Sequence, residues 1–165
     1  MDMLAMQLVR TYGEEILSSP EFLKALQQKH HHVTTVGEHS IGVAYTSVKI
    51  CRFLASMHIK TDTKAMVRGA LCHDLGIVGR YEKFGNNLVC WQRHPKESVM
   101  VAEKLLGNLT SCEKDIIGRH MWPTTPLPPH CREGYVITIA DKYCSVREVV
   151  ARIKGKNRKK KRGLS

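Results

Sequence analysis

The chain has 165 residues, 42% of them apolar and 25% charged, which suits one soluble globular domain with its own core. No apolar run reaches membrane-spanning length. The opening MDMLAMQLVRTYGEE lacks the basic start, apolar middle and small-residue cleavage site of a secretory signal, so a cytoplasmic protein is expected. The net charge of +11 is concentrated, because residues 151–165 hold eight bases and no acid and leave only +3 for the rest.

Apolar periodicity predicts helices over residues 2–17 and 20–30, parted by Ser18-Ser19-Pro20. There Ser19 can cap and Pro20 fits the first helical position. From about 38 to 57, Ile41, Ala44, Val48, Cys51 and Ala55 recur at helical spacing, and Val43, Ile50, Leu54 and Met57 widen the stripe. Thr61 or Asp62 caps the next helix, which carries Ala65, Met66, Ala70 and Leu71 and ends near Gly76. Residues 77–93, with Gly79, Gly85 and Asn86-Asn87, read as a loop. Pro95 is expected to open a helix through Val99, Ala102, Leu105 and Leu106 that Gly107 stops. Thr110 and Glu113 have capping-box spacing for another. Four prolines make 122–133 irregular, and a last helix is expected from about 134 to 153. No segment sustains strand alternation, so the fold class is all-α. The expected organisation is an N-terminal helical segment (1–30), a main domain (31–153) and a basic disordered tail (154–165).

The tail has the charge to touch RNA, DNA or an anionic membrane weakly, but no aromatic residue is interleaved with its bases. A solvated terminus is the favoured reading. Cys51, Cys72, Cys90, Cys112, Cys131 and Cys144 form no CxxC pair and read as reduced thiols acting as small hydrophobes.

The chemistry lies in polar residues that interrupt the apolar helices. His39 starts one helix, His73-Asp74 ends the next, His94 precedes Pro95, His120 ends the helix after Thr110, and Asp141 sits inside Ile137-Thr-Ile-Ala-Asp141. A carboxylate in such apolar company is costly unless paired, and imidazole with carboxylate suits a divalent transition metal. The run His30-His31-His32 reads as an exposed helix end and His58 as a partner of a helix C-terminus. His130 is a weak candidate for the pocket lining. Trp91 and Trp122 lie near His94 and His120 in sequence and could wall a base or ring, with one of the two expected in the core.

The order His39 … His73-Asp74 … Asp141 resembles the HD-domain superfamily, and His73-Asp74-Leu75-Gly76 resembles the HDIG form of its motif. His94-Pro95, His120 and Ala140-Asp141-Lys142 resemble the members that bind two metals. The resemblance implies a compact helical bundle with a metal site among its central helices. A first ion would sit on His39, His73, Asp74 and Asp141, and a second on His94 and His120 with Asp74 bridging. One or two divalent ions of Fe, Mn, Co, Ni or Zn are implied. So is a phosphohydrolase that cleaves a small phosphate ester, a nucleotide among the candidates, with a metal-activated hydroxide. Asp74, Arg80 and Lys142 are the catalytic candidates, with Lys83, Arg93, Lys96 and Arg119 as further bases for phosphate oxygens. Ile77 stands where the HD-GYP phosphodiesterases carry a lysine, and Arg119-His120-Met-Trp-Pro lacks their Gly-Tyr-Pro string, which points away from that subgroup. The same ligand pattern resembles mixed-valent di-iron oxygenases that cleave C–C or C–P bonds, the alternative activity.

Overall fold

The computed structural model describes residues 2–30 and 34–161, and eight α-helices dominate it. Asp2 caps α1 (Met3–Leu17) by accepting from the Ala5 amide. Ser19 caps α2 (Pro20–Ala25) with Pro20 in its first turn, as the sequence predicts. α2 ends five residues before the expected boundary because Gln28 is taken by tertiary bonds. Its amide group donates to the Ile77 carbonyl (3.0 Å) and accepts from the Gly79 amide (2.7 Å), and its carbonyl accepts from Val36. A two-residue antiparallel pair, β1 (Lys29–His30) with β2 (Thr34–Thr35), follows, a strand element the sequence reading did not contain. His31 and His32 of the histidine run lie outside the described residues.

Helix α3 (Val36–Ser56) opens on a capping box between Thr35 and Glu38. α4 (Thr63–Cys72) is capped by Asp62 and is the central element: Ala65, Met66, Val67, Gly69, Ala70, Leu71 and Cys72 are all buried, against α1, α3 and α7 (Ser111–Arg119). A 3-10 turn (Leu75–Ile77) follows the His-Asp pair.

The expected loop over 77–93 is corrected. It contains the short α5 (Arg80–Phe84) and the first part of α6 (Asn87–Leu106), so Pro95 lies inside a helix instead of opening it. Asn86, read as a turn residue, is the N-cap and accepts from the Val89 amide at 2.9 Å. Ile77, Phe84 and Cys90 bury together, which supplies a tertiary reason for helix where local signals say loop. α7 carries the predicted capping box of Thr110 and Glu113. The segment between α7 and α8 (Arg132–Lys161) is irregular, as its prolines require.

α8 runs eight residues past the expected boundary at 153, through the basic stretch that was expected to be disordered, up to Lys161. Lys and Arg are good helix formers, and positive charge near a helix C-terminus is favoured by the helix dipole. Residues 162–165 of the expected tail lie outside the described residues. No helix among the described residues is long and apolar enough to cross a membrane.

Candidate metal centre

Two of the candidate ligands are C-caps. His73 ends α4 and His120 ends α7. One turn earlier in each helix, Gly69 meets Ile116; a Cβ on Gly69 would lie 2.5 Å from Ile116 Cγ2. The missing side chain lets the two helices approach, and the imidazoles of His73 and His120 meet edge to face with centroids 4.9 Å apart. The motif glycine has an equally local reason. A Cβ on Gly76 would stand 2.5 Å from the His94 carbonyl oxygen, and the Gly76 amide donates to Ser98 Oγ at 2.9 Å. The turn after His73-Asp74 can therefore lie directly on α6 beside His94.

All six candidate ligands converge. His39, His73, Asp74, His94, His120 and Asp141 are buried. Their atoms form two neighbouring groups. In the first, Asp141 Oδ1 lies 3.0 Å from His39 Nε2 and 3.9 Å from His73 Nε2. In the second, Asp74 Oδ1 lies 3.4 Å from His94 Nε2 and 3.6 Å from His120 Nε2. The other oxygen of Asp74 faces back to His73 Nε2 at 3.5 Å, so this carboxylate spans both groups.

The ring nitrogens are oriented from behind. His73 Nδ1–H donates to Ala70 O (2.7 Å), His94 Nδ1–H to Cys90 O (3.0 Å) and His120 Nδ1–H to Ile117 O (2.7 Å). A carbonyl only accepts, so each Nδ1 carries a hydrogen and each Nε2 is left to face the cluster. His39 Nδ1 faces Glu148 Oε1 at 2.8 Å, and Glu148 Oε2 accepts from the Thr34 hydroxyl at 2.9 Å. Glu148 was missed in the sequence. It lies two helical turns beyond Asp141 on the same face of α8, and that i, i+7 spacing was its only signal.

The donor set fits a cation. The Nε2 atoms of His94 and His120 lie 3.0 Å apart, although both rings have their Nδ1 committed as a donor. Two imidazole nitrogens on one ion at ligand distances of about 2.0–2.1 Å, meeting it at near right angles, would stand about 3 Å apart. His73 Nε2 is buried with no hydrogen-bond partner among the described residues. Without a metal, protons must serve as the positive charge. Burial works against a charged His39, but the hydrogen bonds of Asp141 and Glu148 and the charge of Asp74 raise it to about 10. His94 is raised too, against its burial, by Asp74. Burial and the neighbouring charges of His73 and His94 push His120 down to about 3. Asp141, against its burial, is drawn down to about 2 by the His39 hydrogen bond and nearby histidines, and Asp74 is held well below the carboxylate range by His73, His94 and His120.

Four of the six, Asp74, His94, His120 and Asp141, line a cavity of about 750 Å³. Arg80 and Lys142 line it, as does Lys29, which the sequence reading missed. Lys142 Nζ donates to the His120 carbonyl (3.2 Å) and lies 3.9 Å from Asp141 Oδ2. Arg80 stacks on Tyr81 at 4.8 Å. The other basic candidates are elsewhere: Lys83 is exposed, Arg93 pairs with Glu97, and Lys96 and Arg119 line a separate cavity together with His130. Trp91 lines the site cavity, whereas Trp122 packs edge to face on Tyr135.

A family model described as the HD domain matches residues 36–145, about two-thirds of the chain. No curated protein and no solved structure matches the chain significantly.

Proposed function

The chain belongs to the HD-domain family, a superfamily of metal-dependent phosphohydrolases, and from that premise we propose that it hydrolyses a small phosphate ester at the His/Asp cluster. His39, His73, Asp74 and Asp141 hold one divalent ion in this reading, and His94 and His120 hold a second, with Asp74 shared. Bound ions of this kind lower the pKa of water toward neutrality and neutralise phosphate oxygens. The observation that carries the reading is the 3.0 Å approach of the His94 and His120 Nε2 atoms, both aimed inward from behind and both beside Asp74.

The protein's own groups have separable tasks here. Lys29, Arg80 and Lys142 line the cavity from three segments and supply positive charge for the phosphate oxygens. Lys142 donates to the His120 carbonyl, which holds its ammonium at the rim of the cluster although the side chain is 39% exposed. Ile77, Trp91 and Met121 give the same cavity an apolar wall. That wall suits a substrate with a ring or base beside its phosphate, such as a nucleotide.

The test is a panel of nucleotides and simple aryl phosphates assayed for phosphate release with Mn²⁺, Fe²⁺, Co²⁺ or Ni²⁺. Turnover that disappears in Asp74→Ala is expected. Metal-loaded protein that turns over none of them would overturn the proposal. So would an iron-dependent, O₂-consuming reaction with a mixed-valence EPR signal, which would place the chain among the oxygenases.

A further inference from the structure

Four of the six cysteines, Cys51, Cys72, Cys90 and Cys144, are buried singly, as the sequence reading expects of small hydrophobes. Cys112 and Cys131 depart from it. Both are only half-buried, they come from different segments 19 positions apart, and their sulfur atoms stand 3.0 Å from each other. That is closer than two unbonded sulfurs normally approach. It is also shorter than the roughly 3.8 Å between two thiolates on a tetrahedral zinc with Zn–S bonds of about 2.3 Å. Among the described residues only Glu133 joins the pair as a further donor, with no fourth beside it, and its Oε1 is already accepting from the Asp62 amide at 2.7 Å.

We infer that Cys112 and Cys131 are a disulfide-forming pair whose oxidation ties the start of α7 to the start of α8. The surroundings hold both ends in place. Asp115 Oδ2 accepts from the amides of His130 and Cys131 at 2.8 and 2.9 Å, which pins the second cysteine against α7 before any bond forms. The loop so closed contains His120 and the cavity residues Met121 and Thr124, so the bond would restrain one wall of the site. The chemistry balances with a small disulfide such as oxidised glutathione as oxidant. The Cys131 thiolate attacks one glutathione sulfur and releases glutathione thiolate. Cys112 then attacks the mixed disulfide, releases the second glutathione, and passes its proton to Glu133 Oε2, which lies 3.6 Å away. Two electrons pass from the cysteine pair to the oxidant, which leaves as two thiols.

The test uses the full chain treated with oxidised glutathione, alkylated, digested with trypsin without reduction and analysed by mass spectrometry. The expected product is LLGNLTSCEK joined to HMWPTTPLPPHCR, two hydrogens lighter than the separate peptides and absent from Cys112→Ser and from Cys131→Ser. Oxidised wild type should melt on the order of 5–10 °C higher than reduced protein, reversibly with dithiothreitol, while neither variant shifts. Recovery of the two peptides singly alkylated from folded, oxidised protein would overturn the inference. Thiols shielded from alkylation under reducing conditions, with a zinc ion beyond those of the histidine cluster, would overturn it in favour of a metal. Linkage without a melting shift would overturn the tether.

Discussion

Removing the carboxylate behind His39 tests how the cluster is oriented. Glu148 touches none of the proposed ions; it acts on His39 Nδ1 at 2.8 Å and is itself steadied by Thr34. A hydrogen bond to a charged partner contributes about 1.5–3 kcal/mol, a neutral one about 1 kcal/mol, and each 1.4 kcal/mol is tenfold in a binding constant. Glu148→Ala should therefore weaken Mn²⁺ binding by about 10- to 100-fold. Glu148→Gln, which keeps an acceptor, should fall between it and wild type. The loss should depend on pH. In the metal-free protein the same carboxylate helps raise His39 to about 10, so it also stabilises the proton that competes with the ion. Near pH 6.5 the two effects partly cancel, and the loss should grow as pH rises. Competition against a fluorescent chelator at pH 6.5 and pH 9 measures it. Unchanged affinity, or a loss equal at both values, would refute the claim that Glu148 works through His39.

In metal-free protein, His39 is raised, so its contribution to stability is fully present below pH 6.5 and fades as pH climbs toward 10. His120 is lowered to about 3, so its contribution is present above 6.5 and fades toward 3. Thermal melts of chelator-treated protein should peak near pH 6.5 and fall on both sides. His94→Ala should remove about one equivalent of metal by elemental analysis and leave the rest, whereas His58→Ala, at an exposed helix end, should remove none. Gly76→Ala places a methyl group 2.5 Å from the His94 carbonyl and should cost about 1–3 kcal/mol in denaturant melts, with weaker metal retention at the His94 side. Lys142→Met keeps bulk but loses the cation, and should raise KM for a phosphate ester severalfold while metal content stays at the wild-type level.

The candidate ligands were legible because each breaks a pattern. Asp141 stands inside an apolar helix, and His73-Asp74 ends another on the edge of the core. Glu148 breaks none, since Arg147, Val149 and Arg152 around it read as an ordinary solvated face; its partner Thr34 is 114 positions away. The bases could not be ranked for a related reason. Whether Arg93 or Lys29 faces the cavity depends on how α6 and the first strand dock, not on their neighbours in sequence. The segment 77–93 misled because Gly85 and Asn86-Asn87 are turn residues at a real turn, but only a short one, between α5 and α6. Thr35 and Glu38 carried a capping-box signature that sets the start of α3 before His39, two residues earlier than apolar periodicity alone indicated.

The placement of the cluster also has an electrostatic reason that periodicity does not reveal. Two of its imidazoles, His73 and His120, are the C-caps of α4 and α7, which the Gly69–Ile116 contact holds close. A helix C-terminus carries about half a negative charge, and two of them meet at the point where two carboxylates are also buried. Such a site repels further anions and attracts cations, so the same arrangement that makes an empty cluster keep protons on His39 and His94 makes it attractive to a dication. A phosphate ester approaching the cluster without a cation would meet Asp74, Asp141 and both helix ends, offset in part by the protons on His39 and His94. Lys29, Arg80 and Lys142 line the same cavity, and Lys142 Nζ, 3.9 Å from Asp141 Oδ2, offsets only part of that charge. Binding of a phosphate product should therefore require the metal: titration of inorganic phosphate should show saturation in Mn²⁺-loaded protein and at least tenfold weaker binding after chelation. Equal phosphate affinity in both forms would mean that the basic residues alone recognise the anion, and that the cluster serves some other end.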